Sequence, residues 1–356
     1  MGAETLNPIH PNFLDKLDPQ FVRIYNREQA PKLRADQVSI EEYRKNPTKY
    51  SLKIAEGPKP ETGSAEVYNV DVDQPEGRIK VRVYTPTDEA VEKGGLKSSG
   101  GLLPAHVNYH GGGWVIGGLL SDESWCRQAC QKLGMVIVDV DYRLAPEFPF
   151  PAQIWDAWAA LKWTFAHAET LGIDRSRVSI GGLSAGGHLS AVVAILARDE
   201  PRMPPLKLQL LVVPAVDSRW TPLEGSVDPT VPYETYKSCE FAPCLPLERL
   251  KWFSRLWLGV DLEDRKKKTN RWICSPILAE SHANLAPCSI HCAEFDVLRD
   301  EAIAYNDVLN KFGTPSRLKV YDGVCHSWGH WDGELDKAKE YVRNTLADLK
   351  QAHAVS

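Results

Sequence analysis

"RVSIGGLSAGGHLSAVVAILA", residues 177–197, decides how this chain is read. A short β-branched apolar run enters Gly182-Leu183-Ser184-Ala185-Gly186, and a run of alanine, valine and leucine leaves it. The first half has strand composition and the second has helix composition. A strand that passes into a helix through G-x-S-x-G can lift its serine above a sheet as a nucleophile. Such a turn strains the serine backbone, so its neighbours must be small. Gly182, Gly186 and Gly187 supply the room. The N–H of Ala185, at the start of the helix, then points toward an incoming oxyanion.

A second glycine cluster lies upstream in "YHGGGWVIGG", Tyr109–Gly118, directly after the apolar stretch "LPAHVN". Glycine loses more backbone freedom on folding than any other residue, so three in a row need a reason. Acyl transfer from a serine passes through a tetrahedral oxyanion at which two or three backbone N–H groups must point. A loop can turn its amides inward and lie close to substrate only where side chains are absent. "HGGG" after a strand and before G-x-S-x-G is the lipase and esterase form of that loop. The expected donors are the N–H groups of Gly112, Gly113 and Ala185, with Gly111 shaping the turn. His110 is expected to hold the loop by hydrogen bonds. A phosphate cradle is the rival reading, but no G-x-x-x-x-G-K-[ST] accompanies it.

A serine hydroxyl needs a histidine to take its proton and an acid to orient that histidine. With this kind of elbow the order along the chain is serine, acid, histidine. "HCAEFDVLRDEA" places Asp296 just past an apolar strand, and Asp300 four residues on is read as a helix cap. Asp217, after "LKLQLLVVP", is the alternative acid. His326, in "VYDGVCHSWGHW", follows the last apolar strand and is the expected base, with His330 as runner-up. His188 points away within the nucleophile helix, His291 reads as a core histidine, and His282 lies in a polar loop.

Around these motifs the chain alternates. Short apolar strands ("LPAHVNYH", "MVIVDVDY", "RVSIGGLS", "LKLQLLVVP", "PCSIHCAEF", "SRLKVYDG") are separated by helical stretches near 121–133, 151–171, 185–199, 299–313 and 333–351. That pattern predicts an α/β protein with a mostly parallel sheet covered on both faces. "AEVYNVDVD" and "GRIKVRVYTP" alternate apolar and polar residues, as half-buried antiparallel strands do. Residues 88–101 read as a surface loop. The segment 217–275 breaks the alternation with prolines and with Trp220, Trp252, Trp257 and Trp272. It is read as an insertion over one edge of the sheet. Residues 1–60 look helical, with breaks at prolines.

Composition narrows the partners. The 356 residues are 43% hydrophobic and 25% charged with net charge −5, as in ordinary soluble proteins. No nucleic-acid partner is indicated. The basic run at Lys266–Lys268 lacks interleaved aromatics and reads as a solvated loop. Eight cysteines show no C-x-x-C pair and no zinc spacing, and no metal or organic cofactor is expected. There is no signal-peptide pattern and no apolar stretch long enough to span a bilayer, so a cytoplasmic location is expected. A homodimer is compatible with this reading, though no residue pattern specifies one.

"HGGGW", "DYRLAPEFPFPA" (141–152), "GLSAGG", "EFDVLRDEA" and the late histidine, in that order over roughly residues 65–330, resemble the hormone-sensitive-lipase family of α/β-hydrolases. That family includes carboxylesterases and arylacetamide deacetylases. The resemblance implies an eight-stranded, mostly parallel sheet with helices on both faces and a helical cap. The cap would be built from residues 1–60 and 217–275, over a core of 61–216 and 276–356. It also implies that Arg143 and Glu147 are scaffold. Two departures stand out: Leu183 replaces the acidic residue often found before the serine, and "HSW" puts Trp328 after the histidine.

The expected substrates are small-molecule carboxylic esters, short- to medium-chain or aryl, hydrolysed through an acyl-enzyme. Trp114, Phe241, Trp252 and Trp328 are the expected pocket residues. Amides, lactones and acyl transfer would use the same groups. A ligand-binding protein without turnover is the reading from another class, and the complete set Ser184, Asp296 and His326 argues against it.

Overall fold

The computed structural model describes residues 5–53, 57–98 and 100–354, so parts of the expected N-terminal segment 1–60 lie outside the described residues. Eight strands form one sheet: β1 (Ser64–Asp73), β2 (Glu76–Thr85), β3 (Leu103–Tyr109), β4 (Val136–Asp141), β5 (Ile173–Leu183), β6 (Gln209–Val212), β7 (Cys288–Phe295) and β8 (Ser316–Cys325). Their order across the sheet is β1-β2-β4-β3-β5-β6-β7-β8. β1 and β2 pair antiparallel, as does β2 with β4, and every other pairing is parallel. The sheet is mostly parallel, as the strand–helix alternation predicts, and eight-stranded, as the family resemblance implies.

Burial follows from this order. β3, β4 and β6 bury nearly every residue, as central parallel strands covered on both faces must. β1, at the edge, alternates buried and exposed positions only over its second half. Five helices answer to the expected stretches, at Glu123–Leu133, Ala152–Ala166, Ala185–Asp199, Arg299–Lys311 and Asp336–Ala352, the last running one residue past the expected end.

Two expected loops prove helical. Asp88–Gly94 is a helix because Thr87 caps the N–H of Ala90 at 3.2 Å, acids fill its first turn and Gly95 closes it in the left-handed region. Leu262–Thr269 is a helix capped by Asp261, and its Lys268 pairs with Asp264 at 2.6 Å.

The segment between β6 and β7 carries the helix Leu247–Leu258. It meets the N-terminal segment where Arg249 Nε approaches Asp36 Oδ1 at 3.6 Å. The N-terminal segment is fixed in turn by Arg44. Its guanidinium donates to Glu147 through two nitrogens, both at 2.9 Å, to Val115 O at 2.7 Å and to Ala145 O at 2.8 Å. Arg143 is bound to Asp156 at 2.6 Å and to the carbonyls of Pro75 and Glu76. No helix among the described residues is long and apolar enough to cross a membrane.

Candidate active site

The parallel strands β3, β5, β7 and β8 all deliver residues of interest from their carboxyl ends, the edge at which open α/β sheets place their sites. β5 ends at Leu183, and the helix Ala185–Asp199 begins two residues later. Ser184 bridges them with φ 58° and ψ −113°, a region costly for a residue with a Cβ. Its N–H donates to Val212 O at 2.7 Å, which holds the strained turn against β6. Gly186 lies so close to Tyr109 O that a Cβ there would overlap the carbonyl. This contact explains the small residues after the serine.

Ser184 Oγ lies 2.8 Å from His326 Nε2, and His326 Nδ1 lies 2.7 Å from Asp296 Oδ2. The second Asp296 oxygen accepts the N–H of Leu298 at 3.0 Å. All three side chains are buried, with Ser184 8% exposed. Residues 142 apart in sequence thus meet at one point because β5, β7 and β8 end at the same edge.

The alternatives sit elsewhere. Asp217 is bound by Arg219, Trp220 and Tyr233. His330 Nε2 meets Asp122 Oδ1 at 3.0 Å. Burial alone would raise the Asp122 pKa, but hydrogen bonds from His330 and Asn108 hold it below the usual carboxylate range. His291 is held by Asp348 and Tyr321. His188 accepts from Trp114 Nε1, and burial pushes its pKa down to about 3. Asp300 does not cap its helix. It accepts the N–H of Thr235 at 3.0 Å and so ties the segment after β6 to the helix Arg299–Lys311.

The loop after β3 folds over this point. Gly112 and Gly113 have φ 123° and 59°, conformations that other residues rarely adopt. A Cβ on Gly113 would enter the ring of Phe253. The N–H groups of Gly112, Gly113 and Ala185 have no acceptor among the described residues. His110 braces the loop through a 2.7 Å bond to Gly111 O and a stack on Tyr142.

A cavity of about 670 Å³ opens above Ser184 and His326, and its walls include Tyr43, Leu183, Leu245 and Phe253. The four residues expected to line it do not. Trp114 turns at φ 62° into the core and stacks on Trp257 at 3.7 Å. Trp328 is fully buried against Tyr321 and Tyr341. Trp252 packs edge-on against Phe253, with ring centres 5.1 Å apart. Phe241 is 52% exposed and stacks on His10. Sequence reasoning missed Arg249 and Phe253, which both line the cavity. Their i, i+4 spacing on one helix was the available signal.

The chain was compared with known proteins. Residues 106–330 match a family described as having the α/β-hydrolase fold. An AB hydrolase superfamily protein of Schizosaccharomyces pombe is 34% identical over 99% of this chain and 98% of its own. Esterase LipI of Mycobacterium tuberculosis is 33% identical over 80% of this chain and 81% of its own. Among solved structures, a hyperthermophilic esterase from Pyrobaculum calidifontis aligns with TM-score 0.77 at 32% identity, covering 95% of this chain and 100% of that one. The chain belongs to the α/β-hydrolase family. Within it, the relatives and the fold place the chain in the hormone-sensitive-lipase-like carboxylesterase group that its motifs resemble.

Proposed function

We propose that this carboxylic-ester hydrolase works through an acyl-enzyme on Ser184. One observation carries the reading: the run of short contacts Ser184–His326–Asp296, at 2.8 and 2.7 Å, with Ser184 and His326 lining one cavity. Ser184 Oγ attacks the ester carbonyl while His326 Nε2 takes its proton. The carbonyl oxygen, now an oxyanion, is received by the N–H groups of Gly112, Gly113 and Ala185. His326 returns the proton to the departing alcohol. A water deprotonated by the same nitrogen then attacks the acyl carbon and frees Ser184. Asp296 accepts the Nδ1–H throughout, which fixes the tautomer and stabilises the imidazolium.

The cavity volume suits a small ester. Leu183, Leu245 and Phe253 offer apolar contact, which supports short- to medium-chain or aryl substrates. The N-terminal segment and residues 217–275 act as the cap, since Tyr43 from one and Phe253 from the other wall the same cavity. The eight cysteines, all buried free thiols, support a reducing, cytoplasmic setting.

The test is hydrolysis of p-nitrophenyl esters from acetate to laurate, with Ser184→Ala beside the natural chain. Turnover that peaks at short or medium chains and disappears in the variant is expected. Undiminished turnover in Ser184→Ala would rule the assignment out. Failure of a fluorophosphonate to label Ser184 would point to a ligand-binding member of the fold.

A further inference from the structure

Arginine is a costly residue to bury, because its charge survives burial and must find compensation. Arg249 lies on the helix Leu247–Leu258, is 4% exposed and lines the cavity above Ser184. Its compensation is incomplete. Nη1 donates to Cys244 O at 2.7 Å, but Nε is buried with no hydrogen-bond acceptor. Nη2 has no acceptor among the described residues. Asp36, the carboxylate beside it, stands 3.6 Å from Nε, beyond hydrogen-bond reach. Both Asp36 oxygens are already taken by Arg34, at 3.0 and 2.9 Å. Two guanidinium groups therefore share one carboxylate, and the fork of Arg249 is the one left over.

The surrounding wall has the same sign. Lys32, Lys53, Lys59 and Arg249 line the cavity against two carboxylates, Glu123 and Asp141, and Lys53 is itself ion-paired with Glu28 at 3.7 Å. Glu123 is paired with Lys59 at 3.2 Å and Arg127 at 2.9 Å. Asp141 stands beside Gly118, where the wall meets a second groove at the surface. Arg249 lines the same cavity as Ser184 and His326. Its guanidinium sits 5.5 Å from the centre of the Phe253 ring, the ring that occupies the space a Cβ on Gly113 would need.

We propose that Arg249 is a specificity-determining residue, and that the preferred substrates are esters bearing a carboxylate on the acyl or alcohol part. Such an anion would accept a charge-assisted hydrogen bond from Nη2, which has no acceptor among the described residues, and would offset the charge that Asp36 leaves uncompensated. The proposal rests on the ester-hydrolase reading, but a different quantity tests it.

That quantity is a ratio of kcat/KM values, which does not depend on the fraction of enzyme that is active. Mono-p-nitrophenyl suberate is compared with p-nitrophenyl octanoate, and 4-butanoyloxybenzoate with phenyl butanoate. In at least one pair the charged ester should lose ground on the order of tenfold or more in Arg249→Met relative to the natural chain. Arg249→Lys should retain part of the preference, and raised salt should weaken it. Because Arg249 also holds Cys244 O, Lys32→Met serves as a second variant and should show a smaller drop. If both ratios stay unmoved in all three variants while the neutral esters are hydrolysed, the proposal is overturned and the esterase reading stands. If no ester is hydrolysed, that reading itself fails.

Discussion

Arg44 holds Glu147 with two nitrogens and, with the same guanidinium, the carbonyls of Val115 and Ala145. One side chain from the N-terminal segment thus pins the loop just past Gly111–Gly113. Arg44→Met leaves a carboxylate and two carbonyls without their donor. The expected loss is about 1–3 kcal/mol of stability, together with a raised KM as the cavity wall loosens. Urea unfolding and steady-state kinetics check both. A variant equal to the natural chain in both would show that the clamp has no consequence.

Asp296→Asn keeps the shape of the side chain but removes the acceptor that fixes the His326 tautomer. kcat should fall on the order of 10⁴-fold with little change in thermal stability. His330→Ala should retain most activity, since His330 faces Asp122 and not Ser184. Equal losses in His326→Ala and His330→Ala would undo the assignment of the base.

Chain-length preference should follow the observed walls. Leu245→Ala is expected to move the optimum toward longer acyl chains, because Leu245 lines the cavity. Trp114→Phe should leave the optimum unmoved and instead lower stability, because its indole stacks on Trp257 and donates to His188. A p-nitrophenyl ester series run on both variants decides.

Acid should destabilise the fold below neutrality. Burial pushes the pKa of His106, His188 and His353 down to about 3, against an ordinary 6.5. Between those values the unfolded chain takes up protons that the folded chain refuses. Stability is therefore full above about pH 6.5 and falls as pH drops through the window, by up to ~1.4 kcal/mol per pH unit for each histidine. His353→Gln, able to keep a hydrogen bond to Ser179, should flatten this slope. Urea titrations near neutrality and at about pH 5 measure it. An unchanged slope would mean that His353 is not held neutral.

Some of this was legible in residues 177–197 alone, because a nucleophile elbow is local: strand, small residues and helix are contiguous. Asp296 and His326 could be chosen because strand ends are visible as breaks in apolar runs. The cavity wall was not legible. Which way an aromatic ring faces depends on backbone at single positions, such as φ 62° at Trp114, and tryptophan composition carries no such information. The helix at Asp88–Gly94 was hidden by the glycines and serines that follow it, although Thr87 and the two acids after it form a capping signal. Arg249 went unnoticed because its meaning lies in Asp36 being already occupied, 213 positions away in sequence.

The eight cysteines carry one more consequence. All are buried, and burial pushes thiols such as Cys126, Cys292 and Cys325 well above their ordinary pKa. The folded chain should then be nearly silent toward iodoacetamide, since the thiolate is the reacting form. Each molecule that opens fully would acquire up to eight labels. The protein thus carries its own tally of unfolding events, readable by mass spectrometry after iodoacetamide treatment without any engineered label.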